Sequence, residues 1–193
     1  MERDDLMDLI IFSHPDNKGS HNAAILKHVI SRLKMKSKPF EMIDLYADGF
    51  DPVFRLTPEP KSKTELVKKY QKLIMQADRL IFIFPVWWYN LPAMLKGFVE
   101  HVFYSGFAYD FKMSPENTAI IEKKLSGKSA IVINTYGRSE KEAKARGYPL
   151  SILLDRSVLE FCGITAASRI DWFDVKAPAL IPKDIMKRRD EAL

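Results

Sequence analysis

The sequence predicts an α/β protein, a three-layer sandwich with helices on both faces of a five-stranded parallel sheet of order 2-1-3-4-5. Three observations predict it. Short apolar runs of strand length alternate with segments whose apolar residues recur at i, i+3, i+4 and i+7, the pattern of successive βαβ units. The run Leu80-Ile81-Phe82-Ile83-Phe84 is apolar throughout, as a strand covered on both faces must be. Five such strands at this spacing fit a doubly wound sheet, and 193 residues suit one domain spanning 1–193.

The elements follow in order. Leu9-Ile10-Ile11-Phe12 is the first strand, and Leu26, Val29, Ile30 and Leu33 mark the first helix. The alternating stretch 40–46 is the second strand; the Pro- and Asp-rich stretch 48–62 reads as a long loop. Leu66, Tyr70, Leu73 and Ile74 share a helix face ahead of the third strand, 80–84. Pro92 suits the first turn of a helix carrying Leu95, Phe98, Val99 and Val102. Residues 104–118 read as another long loop before the fourth strand, 130–133. Leu150, Leu153, Leu154, Val158 and Phe161 form a helical stripe that Gly163 stops. The fifth strand lies within 164–175, and a short basic helix follows Pro182.

Composition excludes several classes. Lys and Arg number 30 against 25 Asp and Glu, an excess able to draw phosphate-bearing ligands but too dispersed for a nucleic-acid surface. A single cysteine, Cys162, forbids an internal disulfide and argues against a cysteine zinc site; it reads as a core filler, with a nucleophile as the alternative. The four His residues form no HExxH-like set, so no metal is expected. No apolar run reaches the ~20 residues of a membrane span, and the first ten residues are acidic, unlike a signal peptide. A cytoplasmic setting is expected.

In doubly wound sheets ligands bind outside the carboxyl ends of the strands. Three unusual loops share that rim. The first, 13–22, ends in Ser20-His21-Asn22 where a helix begins; its N–H groups, with His14 and Lys18, would hold a phosphate, unless Ser20 is only a helix cap. The second, "FPVWWYN" (84–90), concentrates Trp87, Trp88 and Tyr89. These rings either wall a flat heteroaromatic ligand, or form core or interface, and core filling accounts for at least one Trp. The third places Asn134, Thr135, Tyr136 and Gly137 at a strand end, followed by Arg138, Lys141, Lys144 and Arg146, either a solvated face or an attractor of nucleotide phosphate. Neither GxxxxGK[ST] nor GxGxxG is present, which disfavours ATP and the usual dinucleotide fold.

The chain resembles the flavodoxin-like NAD(P)H:quinone oxidoreductases, which include the DT-diaphorases and the ancillary oxidoreductases of potassium-efflux systems. The resemblance runs along nearly the whole chain, strongest over 77–111 and supported by 13–22, 44–54 and "FCGI" (161–164). It implies a flavin across the strand ends: FMN, with FAD as the alternative, since no segment is dedicated to an adenosine half. It implies that His14, Ser20, His21 and Asn22 lie at the ribityl phosphate. Pro85, Val86, Trp87, Trp88 and Tyr89 would run along the isoalloxazine ring with their backbone N–H groups reaching it. Asn134, Thr135, Tyr136 and Gly137 take the place of the family's Thr-Thr-Gly-Gly, with Tyr136 replacing a glycine. Tyr109 and Phe111 match aromatics that reach the neighbouring subunit's site, implying a homodimer. No protein catalytic residue is firm; Lys144 and Tyr148 stand near the place of the family's Tyr and His. The implied reaction is two-electron transfer from NADH or NADPH through the flavin to a quinone-like acceptor. The rival is a regulatory module of the same fold, with or without flavin, docked on a partner such as a transporter.

Overall fold

The computed structural model describes residues 6–55, 64–147, 151–176 and 183–193. The elements are β1 (Asp8–Phe12), α1 (His21–Met35), β2 (Phe40–Asp44), α2 (Glu65–Gln76), β3 (Arg79–Pro85), α3 (Ala93–Val102), β4 (Tyr109–Met113), β5 (Ala119–Lys123), β6 (Ser129–Thr135) and α4 (Glu140–Ala145). A π-type helix (Ser151–Glu160), β7 (Thr165–Trp172) and α5 (Lys183–Ala192) complete the chain.

The main sheet has the order β2-β1-β3-β6-β7 with every neighbouring pair parallel. Its fourth and fifth strands in sequence are β6 and β7, so the expected 2-1-3-4-5 arrangement is the observed one. Alternation places successive strand residues on opposite faces. Leu9, Ile11, Leu80, Phe82, Phe84 and Val132 pack with Tyr70 and Ile74 of α2, Leu95 and Phe98 of α3, and Leu154 of the π-type helix. Ile10, Phe12, Ile81, Ile83, Ile131 and Ile170 pack with Ile25, Val29 and Leu33 of α1 and with Leu193. Two separate cores on one sheet make the three layers, and each fully buried Leu, Ile or Phe contributes about 1.5–3 kcal/mol.

The reading of 104–118 as a loop is corrected. Tyr109–Met113 pairs antiparallel with Ala119–Lys123 in a hairpin outside the main sheet. The residues Ser114-Pro115-Glu116-Asn117, which suggested a loop, are its turn: the Asn117 N–H donates to the Ser114 carbonyl at 2.9 Å, and Asn117 has φ 60°. The second strand stops at Asp44 rather than 46, because its Oδ1 accepts the N–H groups of Tyr46 and Ala47 and turns the chain.

Cys162 lies in the core, and burial pushes its thiol up to about 11. A protonated thiol that is 2% exposed, at the floor of a surface hollow, is a poor nucleophile. Ellman's reagent at pH 8 is therefore expected to find no thiol in the native protein and one per chain in denaturant. Labelling of the native protein would restore the nucleophile reading. No described helix is long and apolar enough to cross a membrane.

Candidate functional site

The carboxyl ends of β1, β3 and β6 open on two adjoining clefts. The first, about 310 Å³, receives His14, Ser20, His21 and Asn22 from the first loop and α1, Pro85, Val86 and Trp87 from the second loop, and Thr135, Tyr136 and Gly137 from the third. The second, about 480 Å³, is walled by Trp88, Tyr89, Arg138 and Glu142 and shares Val86, Tyr136 and Gly137 with the first. Parallel strands of similar length end on one rim, which is why segments far apart in sequence meet there.

Ser20 is the N-cap of α1. Its hydroxyl accepts the Ala23 N–H at 3.0 Å and donates to the Asp16 carbonyl at 2.5 Å, so the hydroxyl itself serves as a helix cap while the residue lines the cleft. The first turn of α1 carries no acidic residue; the nearest carboxylate, Asp16, lies ahead of the N-cap and accepts the N–H groups of Lys18 and Gly19. Asn22 is buried, and its amide donates to the Thr135 hydroxyl at 2.9 Å, tying α1 to the end of β6; its Oδ1 has no hydrogen-bond partner among the described residues. A buried polar atom without a partner is rare, and here it belongs to a residue lining a polar cleft. His21 lies edge-on to Trp172 at 5.2 Å, with Nε2 2.8 Å from the Lys176 carbonyl.

His14 sits 5.7 Å from the Trp87 ring, and its Nδ1 is 3.0 Å from both the N–H and the carbonyl oxygen of Asp16, so its role there follows the tautomer. Desolvation holds its pKa below the ordinary 6.5 despite the hydrogen bond to Asp16. Because the folded value is the lower one, the neutral form is the native form, and its contribution to stability is full above pH 6.5. That contribution is lost as the pH falls through 6.5 towards the depressed value. His14→Gln is expected to flatten this part of the stability profile between pH 7 and 5, measured by urea unfolding; an unchanged slope would contradict it.

The second loop turns tightly. The Trp87 N–H donates to the Asn90 carbonyl at 3.2 Å, the Asn90 N–H returns to Trp87 at 2.9 Å, and Trp88 and Tyr89 between them adopt φ 50° and 62°. Left-handed backbone at two bulky residues is costly and is held by its surroundings. The expectation that a loop tryptophan fills the core is corrected: Trp87 is 40% and Trp88 94% exposed. The expected backbone donors are also fewer. The Val86 N–H goes to the Thr135 carbonyl and the Trp87 N–H to Asn90, so both are used within the protein.

In the third loop Asn134 is corrected as a cleft residue. It is fully buried and its amide donates to Asp171 at 2.9 Å, behind the rim. Tyr136 stands at the cleft instead. Its ring stacks on Phe173 at 4.5 Å and 26°, its hydroxyl is 3.3 Å from Asp171 Oδ1, and its N–H donates to the Trp172 carbonyl. Arg169 supports Asp171 from 3.4 Å and pairs with both carboxylate oxygens of Asp155, at 2.8 and 2.5 Å. The wall is therefore fixed by charge-assisted bonds running back to the π-type helix.

Lys144 is exposed on α4, paired with Glu140 at 2.7 Å, and stands outside the lining of both clefts; Tyr148 lies outside the described residues. Tyr109 and Phe111 are on the hairpin, in edge contact with each other at 5.6 Å, and line neither cleft. Tyr109 faces a separate hollow of about 430 Å³ with Phe54, Phe103 and Tyr104. Sequence reasoning missed Phe173 and Val175, which support and line the rim. The aromatic pair Trp172-Phe173 at the end of the fifth strand was the available signal.

The family described as "Flavodoxin-like fold" matches residues 9–193. The chain is 31% identical over 183 residues to NAD(P)H dehydrogenase [quinone] 1 of Cavia porcellus, covering 80% of this chain but only 64% of that protein's length. Among solved structures, Smu.1420 of Streptococcus mutans is 32% identical, with a TM-score of 0.79 over 97% of this chain and 96% of that one. An FMN-dependent NADH-azoreductase of Bacillus anthracis, solved with FMN, is 18% identical with a TM-score of 0.71, covers 97% of this chain and 95% of that one, and speaks to the fold alone. With its sheet order, its rim of three loops and a match running from β1 to the last residue, the chain belongs to the flavodoxin-like family that includes the NAD(P)H:quinone oxidoreductases.

Proposed function

We propose that the protein is a flavin-dependent NAD(P)H oxidoreductase that delivers two electrons to a quinone or another flat acceptor, with FMN as its resident flavin. The observation that carries this reading is the pair of joined clefts, one at the N-terminus of α1 and one walled by aromatic rings. Volumes of about 310 and 480 Å³ fall in the range of small-molecule sites. The unpartnered Asn22 Oδ1 suits a ligand hydroxyl, and the helix N-terminus suits a phosphate. The name of the quinone dehydrogenase supports the donor and the acceptor class, and the azoreductase solved with FMN is an instance of this fold holding that flavin.

A bound flavin supplies the two-electron chemistry. The chain's residues bind and orient. The first turn of α1, with His14 and Asn22, would hold the phosphate and ribityl chain. Trp88, Tyr89 and Tyr136 would flank the ring, and the Asp171–Arg169–Asp155 set keeps Tyr136 in place. Within this reading a second copy covers the hairpin, where Phe111 and Met113 are 61% and 60% exposed. Tyr109 and Phe111 would then stand at the neighbour's cleft.

The test is to release any chromophore with acid, identify it by chromatography, and measure NADH and NADPH oxidation with a benzoquinone. FMN and flavin-dependent turnover are expected; a colourless protein that takes up no flavin would end the reading. Trp88→Ala sharpens it. At 94% exposure the ring supports little of the fold, so unfolding should shift by under about 0.5 kcal/mol. Loss of an aromatic wall should weaken flavin or acceptor binding by about tenfold, since stacking contributes about 0.5–1.5 kcal/mol beyond burial. Unaltered flavin affinity and unaltered KM would exclude Trp88 from the site.

A further inference from the structure

The second cleft has a charged mouth that the flavin reading does not use. Arg138 and Arg146 both approach the Tyr89 ring, their guanidinium carbons 5.9 and 5.6 Å from its centroid. Tyr89 and Arg138 line the cleft. A cation over a ring face interacts through its charge and keeps its N–H edge for an anion, and two guanidiniums on one ring repel each other until an anion joins them. The segment 138–146 carries four cations, Arg138, Lys141, Lys144 and Arg146, against Glu140 and Glu142.

Among the described residues neither carboxylate of the segment hydrogen-bonds to the pair, and Glu142 reaches Arg138 only as a loose ion pair. Glu140 is bound to Lys144 at 2.7 Å. Glu142 gives Oε2 to the Ser139 cap, at 2.8 Å from the hydroxyl and 3.1 Å from the N–H, and its Oε1 stays 3.7 Å from Arg138, beyond hydrogen-bond length. The capping box of α4 thus holds Glu142 back from Arg138 and fixes where the segment starts.

We propose that Arg138 and Arg146, mounted on Tyr89, form an anion-recognition site at the mouth of the ring cleft that selects flat ligands bearing a sulfonate, carboxylate or phosphomonoester. The inference rests on the second cleft taking the flat substrate. The anion has two sources, a charged acceptor or the 2′-phosphate that separates NADPH from NADH. Both are read by the same bidentate guanidinium chemistry.

The experiment compares the purified flavin-loaded protein with Arg138→Gln, Arg146→Gln, the double Gln variant and a double Lys variant that keeps the charge. Calorimetry measures binding of anthraquinone-2-sulfonate and of 2′,5′-ADP, with 5′-AMP as the control lacking the 2′-phosphate. Kinetics give KM for NADH, NADPH and the neutral quinone menadione. The double Gln variant is expected to lose about tenfold or more in affinity for at least one anionic ligand, the loss expected of charge-assisted bonds, and to raise menadione KM by a clearly smaller factor, since that quinone carries no anion. The double Lys variant should recover part of the loss. A loss confined to anthraquinone-2-sulfonate assigns the site to the acceptor; a loss confined to 2′,5′-ADP and to NADPH KM assigns it to the donor. Unchanged affinity for both anions, or an equal loss for menadione, overturns the proposal. Binding of the two anions is read without turnover, so a protein that proves inactive defeats the flavoenzyme reading without deciding this one.

Discussion

Replacing Arg79 with alanine is expected to destabilise the protein by about 3–5 kcal/mol, the loss that follows when one partner of a buried ion pair is removed. Asp8 and Arg79 face each other across the first rung of the β1–β3 ladder. Nε and Nη2 meet the two carboxylate oxygens at 2.7 Å each, with Asp8 fully buried and Arg79 13% exposed. Arg79 also donates to the carbonyls of Ala192 at 3.2 Å and Leu193 at 3.4 Å, joining the central strands to the end of the chain. Alanine leaves a carboxylate with no water and no partner. Urea unfolding at pH 7 measures the loss, and the double replacement Asp8→Leu with Arg79→Leu is expected to recover most of it, because the uncompensated charge goes too. The pair sits at the amino ends of the strands, opposite the clefts, so the fraction that stays folded should keep its flavin affinity. A loss under 1 kcal/mol for Arg79→Ala would show that water reaches Asp8.

Gly97→Ala should also destabilise, by about 2–3 kcal/mol, although glycine to alanine within a helix normally gains up to about 1 kcal/mol. The sign reverses because a Cβ at Gly97 would stand 2.4 Å from the Pro52 carbonyl oxygen, 2.5 Å from its Cβ and 2.6 Å from its Cα. Two of those three atoms are backbone and cannot swing aside. Either α3 or the segment around Pro52 must retreat. Since α3 begins three residues after Asn90, its displacement would reach the Trp88–Tyr89 turn, so weaker ligand binding should accompany the lowered midpoint. Gly137→Ala is the control for stability alone, as an added Cβ there meets no protein atom within 4 Å although the residue lines both clefts. A neutral or stabilising Gly97→Ala would mean that the Pro52 segment yields freely.

Much of the fold was legible in local pattern. An all-apolar run such as 80–84, short and between turn signals, fits a strand buried on both faces, and the stripe Leu26, Val29, Leu33 fits a helix face turned to a core, as both are here. The hairpin escaped because its turn residues, Ser114 to Asn117, were read as the character of the whole stretch. The alternation Tyr109, Phe111, Met113 against Asp110, Lys112 was the signal that β4 carried.

The sequence by itself determined the layer architecture and the three loops that meet at one rim, because hydrophobic periodicity assigns faces and a parallel sheet assigns ends. Only the tertiary structure decided which side chain at those ends looks outward. Asn134 turns to Asp171 while its neighbour Thr135 meets Asn22, and Trp88 stands in solvent where core filling was open to it. It also brought Arg138 and Arg146 onto Tyr89, about fifty residues earlier in the chain. Such choices depend on hydrogen bonds and ring contacts between segments distant in sequence, and no local period encodes them.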